Sequence, residues 1–388
     1  PVQREKKALW QALNRLQMQR PMLNMDQIPW HEMDVDGSLV NQVEDPYWRN
    51  VETTLRRTIY RFEHMPVDMV VEPYITLYRP IVYDPYGMQI HVDTIRLDQK
   101  NDVAAQHFTN LLETEEDLEK IKTPTATLLA EDEKRIIQEA EVLFHGIAPF
   151  HMAGMTMHLG IWDSITQWMG VENCYIELMD RPAFMHAIME RATSGMESLI
   201  DNMNRQGLFD VYTNVCHCSY TYLDELPTPG CDPDRPQSKD VWAFGLAQLF
   251  SSVSPDITAE FEVPYMKRIF SKFGAIYYGC CEKLDDRLDI IAQMPNIHKV
   301  SCSPWSNREH FAATLPKQYI MSNKPNPALV GASVMDEEEV RKDIRRTIDA
   351  AKRNQVNLEL ILKDISTVQY EPQRLWNWSR IALEEVCR

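Results

Sequence analysis

Nowhere in the 388 residues does an apolar run approach the ~20 residues that span a bilayer, which excludes a helical membrane protein. The polar, basic stretch Pro1 to Arg20 does not read as a secretory signal. Neither G-x-G-x-x-G nor G-x-x-x-x-G-K-[ST] occurs, so nothing favours a nucleotide fold. Internal repeats and low-complexity segments are also missing. Positive charge is in deficit: 40 Lys and Arg stand against 57 Asp and Glu, a formal net charge of −17. A field of that sign repels nucleic acid and anionic membranes; it reads as solubility, with matching to a basic partner left open. Cysteine is too sparse for a small secreted disulfide scaffold. The eight present include close pairs, Cys216/Cys218 and Cys280/Cys281, which in a reducing compartment read as free thiols or metal ligands. Cytoplasm is the expected location.

What is present is ordinary for a soluble globular chain, 44% hydrophobic and 25% charged, long enough for one large domain with insertions. Leu9, Leu13 and Leu16 mark a helix over 3–19, followed by a short apolar run from Pro21 to Asp26. Trp48, Val51, Leu55, Ile59 and Phe62 stripe a helix over 45–64, and Asp68 to Glu72 forms the next strand candidate. Strand, helix, strand is the signature of a parallel sheet. Residues 76–110 break the rhythm: a turn at Tyr83–Gly87 precedes alternation from Met88 to Leu97, which predicts a hairpin insertion serving as a lid or rim. Helices are expected over 114–122 and 131–144. Beyond Phe144 strands are expected near 146–152, 209–215, 274–279, 298–302, 317–322 and 357–363. Helices over 181–206, 256–273, 283–293, 306–314 and 336–354 separate them. Eight strand-helix units predict a single (β/α)₈ TIM-type barrel over 1–388, with an N-terminal helix, the 76–110 insertion after the second strand, and a flexible loop at 224–239.

In such barrels chemistry gathers at the carboxyl ends of the strands. Those ends carry Asp26, Glu72, His151, Asn214 with Cys216-His217-Cys218, then Gly279-Cys280-Cys281-Glu282, Cys302-Ser303, Ser322-Asn323-Lys324 and Lys363-Asp364. Five of eight cysteines fall there, a bias toward soft ligands. Thiolate and imidazole are the donors zinc prefers, so His217 and Cys280 are the metal candidates. The plain alternative is that Cys280 and Cys281 are small buried hydrophobes beside a tight glycine turn. Glu72, Asp26 and Glu282 are candidate general acids or bases, enclosed enough to raise their pKa, or structural carboxylates. Lys324 and Lys363 would grip an anionic group or build a salt-bridged layer with Asp364. Met152, Met155, Met157, Trp162, Trp168 and Met169 suit a planar ligand, or simply a core.

Several segments together resemble the uroporphyrinogen decarboxylase-like superfamily, over nearly the whole chain from about residue 20. They are Tyr278-Gly-Cys-Cys-Glu282, Pro295-Asn296, Val300-Ser-Cys-Ser-Pro-Trp305, Asn323-Lys-Pro-Asn-Pro327 and Leu362-Lys-Asp364. Thr114-Glu-Glu-Asp-Leu-Glu-Lys-Ile121 and Ser254-Pro-Asp-Ile-Thr-Ala-Glu260 share the resemblance. It implies a (β/α)₈ barrel with its site at the strand carboxyl ends. True decarboxylases of this superfamily carry an arginine-rich segment after the first strand. Here Met22-Leu-Asn-Met-Asp-Gln-Ile-Pro-Trp30 has no arginine to neutralise a substrate with many carboxylates. The other branch moves methyl groups to or from a corrinoid, using zinc held by a His-x-Cys pair and a distant cysteine. In this sequence Tyr278-Gly-Cys280 replaces the pair, and the distant cysteine position falls near Lys363-Asp364.

The expectation is therefore a methyltransferase taking a methyl group from a small methylated donor, a methoxylated aromatic first, to a corrinoid protein. Zinc would sit at His217 and Cys280. Glu72 or Glu282 would protonate the leaving phenolate. His151, Asn214, Tyr278, Trp305, Lys324, Asn326, Lys363 and Asp364 would bind substrate. The corrinoid would come from a separate partner, since no cobalamin-binding module is evident. A homo-oligomer stays open. The rivals are a cofactor-free decarboxylase or lyase, with Asp26 protonating a carbanion held by Lys324 and Lys363, and a non-catalytic barrel that binds a corrinoid or aromatic ligand.

Overall fold

The computed structural model describes residues 1–96 and 104–388. Its centre is a wholly parallel sheet of seven strands: β1 (Met22–Met25), β2 (Met157–His158), β3 (Trp242–Gly245), β4 (Ala275–Tyr278), β5 (Ile297–Cys302), β6 (Ile320–Asn323) and β7 (Leu358–Leu362). Across the sheet the order is β1-β7-β6-β5-β4-β3-β2. The last strand meets the first, Met22 opposite Glu359 and Met25 opposite Leu362. A curled parallel sheet of this kind, with β1 and β2 at its two edges, is consistent with a TIM-type barrel. Strands β3, β4, β6 and β7 are buried at every residue, which parallel strands covered on both faces require.

Helices cover the sheet because their apolar residues recur at three and four. In Glu337–Asn354 the buried positions include Val340, Ile344, Thr347, Ile348 and Ala351. Asp336 caps that helix by accepting from the amides of Glu338 and Glu339, an arrangement that contributes about 1 kcal/mol. The chain leaves it through Gln355 in the left-handed region.

Five expected strands are in the sheet, and three are not. Residues 68–72 run beside the free edge of β1, where the Asp68 amide donates to Leu23 O at 3.0 Å, but they form no strand. Pro66 and Pro73 bracket the stretch, and its other polar groups bond to side chains: Val70 N to the Tyr220 hydroxyl (2.9 Å) and Val71 N to Gln3 (2.7 Å). Phe150–Ala153 is extended but pairs with Ile75–Tyr78 in a separate two-stranded sheet. Near 209–215 there is a single bridge, Phe209 to Met155, and a tight hairpin of Val215–Cys216 with Ser219–Tyr220. In their place stand β2 and β3. β2 is only two residues long, and β3 reads Trp-Ala-Phe-Gly without alternation directly after the acidic proline loop.

The insertion begins with Ile81–Asp84 pairing Thr125–Leu128. Within it Val92–Ile95 pairs antiparallel with Ala105–Phe108, where alternation is expected over Met88 to Leu97; Leu97 lies outside the described residues. The insertion packs on the helix Pro182–Gln206, with the Tyr86 hydroxyl donating to Ala192 O at 3.1 Å. The helix expected over 256–273 is two, Pro255–Phe261 and Val263–Phe270, parted at Glu262. That expected over 283–293 shortens to Leu288–Ile291. No helix is long and apolar enough to cross a membrane among the described residues.

Candidate functional site

The carboxyl ends of β1, β4 and β7 converge with the hairpin tip at His217. After β4 the chain turns at Gly279, whose φ is +91°; a Cβ there would lie 2.6 Å from Leu284 Cδ1 and 3.1 Å from Ser301 Cβ. Only glycine fits, and the turn aims Cys280 inward. Glu282 clamps this turn by accepting from the amides of Cys280 (2.7 Å) and Ala247 (3.3 Å). Ser301 donates to Cys280 O at 2.7 Å.

Lys363, just past β7 and with a side chain fully hidden from solvent, reaches into the same space. Its Nζ lies 2.8 Å from His217 Nε2 and 2.9 Å from Cys280 Sγ. Asp364 Oδ1 is 3.5 Å away. Cys280 Sγ and Cys281 Sγ are 3.3 Å apart, and the Cys281 thiol donates to Asp364 Oδ2 at 3.1 Å. His217 itself has φ +56° at the hairpin tip, and its ring stacks on Phe244 at 3.8 Å and 5°.

Charge follows this geometry. The Cys281 hydrogen bond pulls the Cys280 thiol below its ordinary range, with the Lys363 ammonium acting the same way against burial. The same hydrogen bond, with burial, pushes Cys281 up. Burial opposes the Lys363 ammonium, yet Cys280, Cys218 and Asp364 together outweigh it and raise its pKa. Burial, then Lys363 and Lys324, push His217 down to about 2, so its imidazole is neutral and Nε2 accepts from the ammonium. Asp26, whose amide extends the β1 ladder to Leu362 O at 2.9 Å, is raised by burial, while Arg61, Lys363 and Lys324 draw it back.

Beneath the cluster the sheet interior is polar and hydrogen-bonded, apart from Glu359 Oε1, which has no partner among the described residues. Lys324 donates to the Tyr277 hydroxyl and to Ser322 Oγ (2.8 Å), and Tyr277 and Ser322 share a 2.7 Å contact. Deeper, Lys299 meets Glu359 at 2.8 Å and Ser219 Oγ at 2.6 Å.

The structure brings together Asp26, His217, Cys280, Lys363 and Asp364. Glu72 lies with Asn214 in another group, accepting from Lys7 (3.0 Å), Asn214 (3.1 Å) and Tyr222 (2.8 Å). Tyr74 links that group to His151, which stacks on Tyr212 at 4.2 Å. Tyr278 points outward to Phe270 and Glu262, since strand residues alternate and Tyr277 faces inward. Trp305 is 75% exposed, and Asn326 accepts from Ala328 N at 3.0 Å, opening a short helix. The methionine and tryptophan group is core rather than a ring-binding wall: Trp162 packs on Phe250 and Trp168 on Tyr86, with Met157 and Met169 buried. Met155 packs partly buried against the same core, and Met152 against Leu77, Ile136 and Ala140. Three contributors escaped the sequence reading: Tyr277, Phe244 and His158, the last two opposite each other on the unforeseen pair β3 and β2, with rings 5.0 Å apart.

The donor set can be tested against a zinc ion. Between His217 and Cys280 the space is filled by Lys363 Nζ, so those two do not fit a shared ion as they stand. Among the described residues one trio presents three donor atoms within 4.8 Å of one another: Cys280, Cys281 and Asp364. Two of its donors are already engaged, Cys280 by the ammonium and Asp364 by the Cys281 thiol.

No family model matches the chain, and no curated protein matches it in sequence. Among solved structures, a methyltransferase from Methanosarcina mazei superposes with a TM-score of 0.54, covering 98% of this chain and 98% of its own, at 10% identity. Likeness along the whole of both chains shows a shared fold, and at this identity the fold is what it shows.

Proposed function

We propose that this chain is a methyltransferase that takes a methyl group from a small methylated donor, a methoxylated aromatic first in line, and delivers it to a corrinoid protein. The observation that carries the reading is the buried ammonium of Lys363 set between Cys280 and His217, in a fold shared with a methyltransferase. A reduced corrinoid on its partner supplies a strong nucleophile for the methyl carbon. The chain's own residues bind the donor at the strand ends, and Asp26, whose carboxyl burial raises above its ordinary range, is the proposed acid for the departing phenolate. The buried Lys363 ammonium places positive charge beside the site, which offsets negative charge developing on the donor oxygen. Glu282 keeps the turn in place, and Glu72 ties the N-terminal helix down.

The test is anaerobic incubation of the protein with methoxyarenes and free cob(I)alamin, following methylcobalamin formation. Turnover that Cys280→Ser and Lys363→Met abolish supports the reading. The Asp26 carboxyl under the influence of Lys324 and Lys363 favours a second reading, decarboxylation of a small acid. Carbon dioxide release without any corrinoid, and no methyl transfer, would establish that one instead.

A further inference from the structure

We infer that the Lys363 ammonium stands where a metal ion would be held between His217 and Cys280, and that this place is held by the lysine rather than by a metal, with Cys280 as a lysine-paired thiol. The inference deepens the methyl-transfer reading, and its role in turnover rests on that reading; the pairing itself does not.

Three features of the site support it. The ammonium is hydrogen-bonded to His217 Nε2 at 2.8 Å and Cys280 Sγ at 2.9 Å, and Asp364 Oδ1 pairs with its charge at 3.5 Å. With no part of its side chain exposed, Lys363 keeps its charge only if anions or lone pairs surround it, so these contacts are obligatory. Second, the spacing is that of hydrogen bonds. Zinc draws sulfur to ~2.3 Å and imidazole nitrogen to ~2.0 Å, and to reach those distances the lysine would have to leave. Third, a dication bound instead by Cys280, Cys281 and Asp364 would share Cys280 Sγ with an ammonium 2.9 Å from that sulfur. Two like-signed charges that close repel.

The imidazole completes the arrangement. His217 is fixed by its stack on Phe244, and its lone pair takes one ammonium proton, which directs another at Cys280. Its place on a hairpin outside the main sheet makes it a positioning residue for Lys363, one step removed from the sulfur.

Zinc retention tests this directly. The wild-type chain, Cys280→Ala and Lys363→Cys are each purified anaerobically, equilibrated with excess zinc, passed through a desalting column and assayed for bound metal. Wild type is expected to retain no more zinc than Cys280→Ala. Lys363→Cys, which removes the ammonium and adds a thiol, is expected to retain about one zinc per chain. Stoichiometric zinc on the wild type that Cys280→Ala loses would overturn the inference. A folded Lys363→Cys that stays metal-free would overturn it too, because Lys363 would then not be what excludes the ion. Should that variant not fold, cobalt(II) added to the wild type decides: no thiolate-to-cobalt charge-transfer band is expected, and a band that Cys280→Ala removes refutes the idea. None of these readouts depends on a methyl donor, so failure of methyl transfer and failure of this inference are told apart.

Discussion

Lys299 Nζ and Glu359 Oε2 meet at 2.8 Å across the sheet interior, from β5 and β7, and neither side chain has any exposure. Despite complete burial, Lys299 and Lys324 hold Glu359 below the usual carboxylate range. Replacing one partner strands a buried charge, so Glu359→Ala should lose about 3–5 kcal/mol by urea denaturation. The double change Lys299→Met with Glu359→Leu should cost less than either single one. A double variant as unstable as the sum of the singles would show that the ion pair itself adds little.

Gly279→Ala should cost about 1–3 kcal/mol, because its φ of +91° and the 2.6 Å approach to Leu284 leave no room for a methyl group. The denaturation midpoint measures it. An alanine variant as stable as wild type would mean that the turn can relax, and the aim of Cys280 would need another cause.

A buried acid group near the site sets a pH dependence. Burial, then Glu282, raise Asp163 from its ordinary 3.8 to about 7. Burial, then Glu282 and Asp163, push Glu262 well up, and one of its oxygens has no hydrogen-bond partner. With folded-state values above the unfolded ones, the folded chain binds more protons than the unfolded chain. The stability Asp163 contributes is therefore full below about pH 4 and lost as pH rises through about 7. Melting temperatures across that window should fall less steeply in Asp163→Asn than in wild type. Parallel profiles would remove Asp163 from the account.

Asp26→Asn removes the proton proposed for the leaving phenolate. Methyl transfer from an anisole should slow by about 10²–10⁴-fold, the usual worth of a general acid. A methyl ether of a nitrophenol, whose leaving group needs no proton, should lose far less. Equal losses with both donors would assign Asp26 a structural part.

The sequence announced those elements whose apolar runs stand between clear helices, β1 and β4 to β7, and the residues at their ends. Two kinds of information were hidden. The side facing inward depends on register, and nothing local distinguishes Tyr277 from Tyr278. One holds the Lys324 network and the other packs on Phe270. Convergence was hidden as well: Lys363 and Cys280 are 83 positions apart, and only the folded sheet shows that the lysine fills the gap between the two candidate metal donors. His217 was expected at the end of a sheet strand, and it reaches the same place from a hairpin.

The stretch beside β1 that never becomes a strand is held in part by side chains of the first helix, Val2–Asn14. Lys6 donates to Val67 O at 2.7 Å and the Trp10 indole to Asp68 O at 2.8 Å; Gln3 accepts from Val71 and Lys7 pairs with Glu72. Where a backbone ladder would be indifferent to side-chain identity, this seam is stitched by four particular residues. The sheet's edge is thus open to revision by point mutation in the first helix, and the opening turns of the chain work as a buckle rather than as a tail.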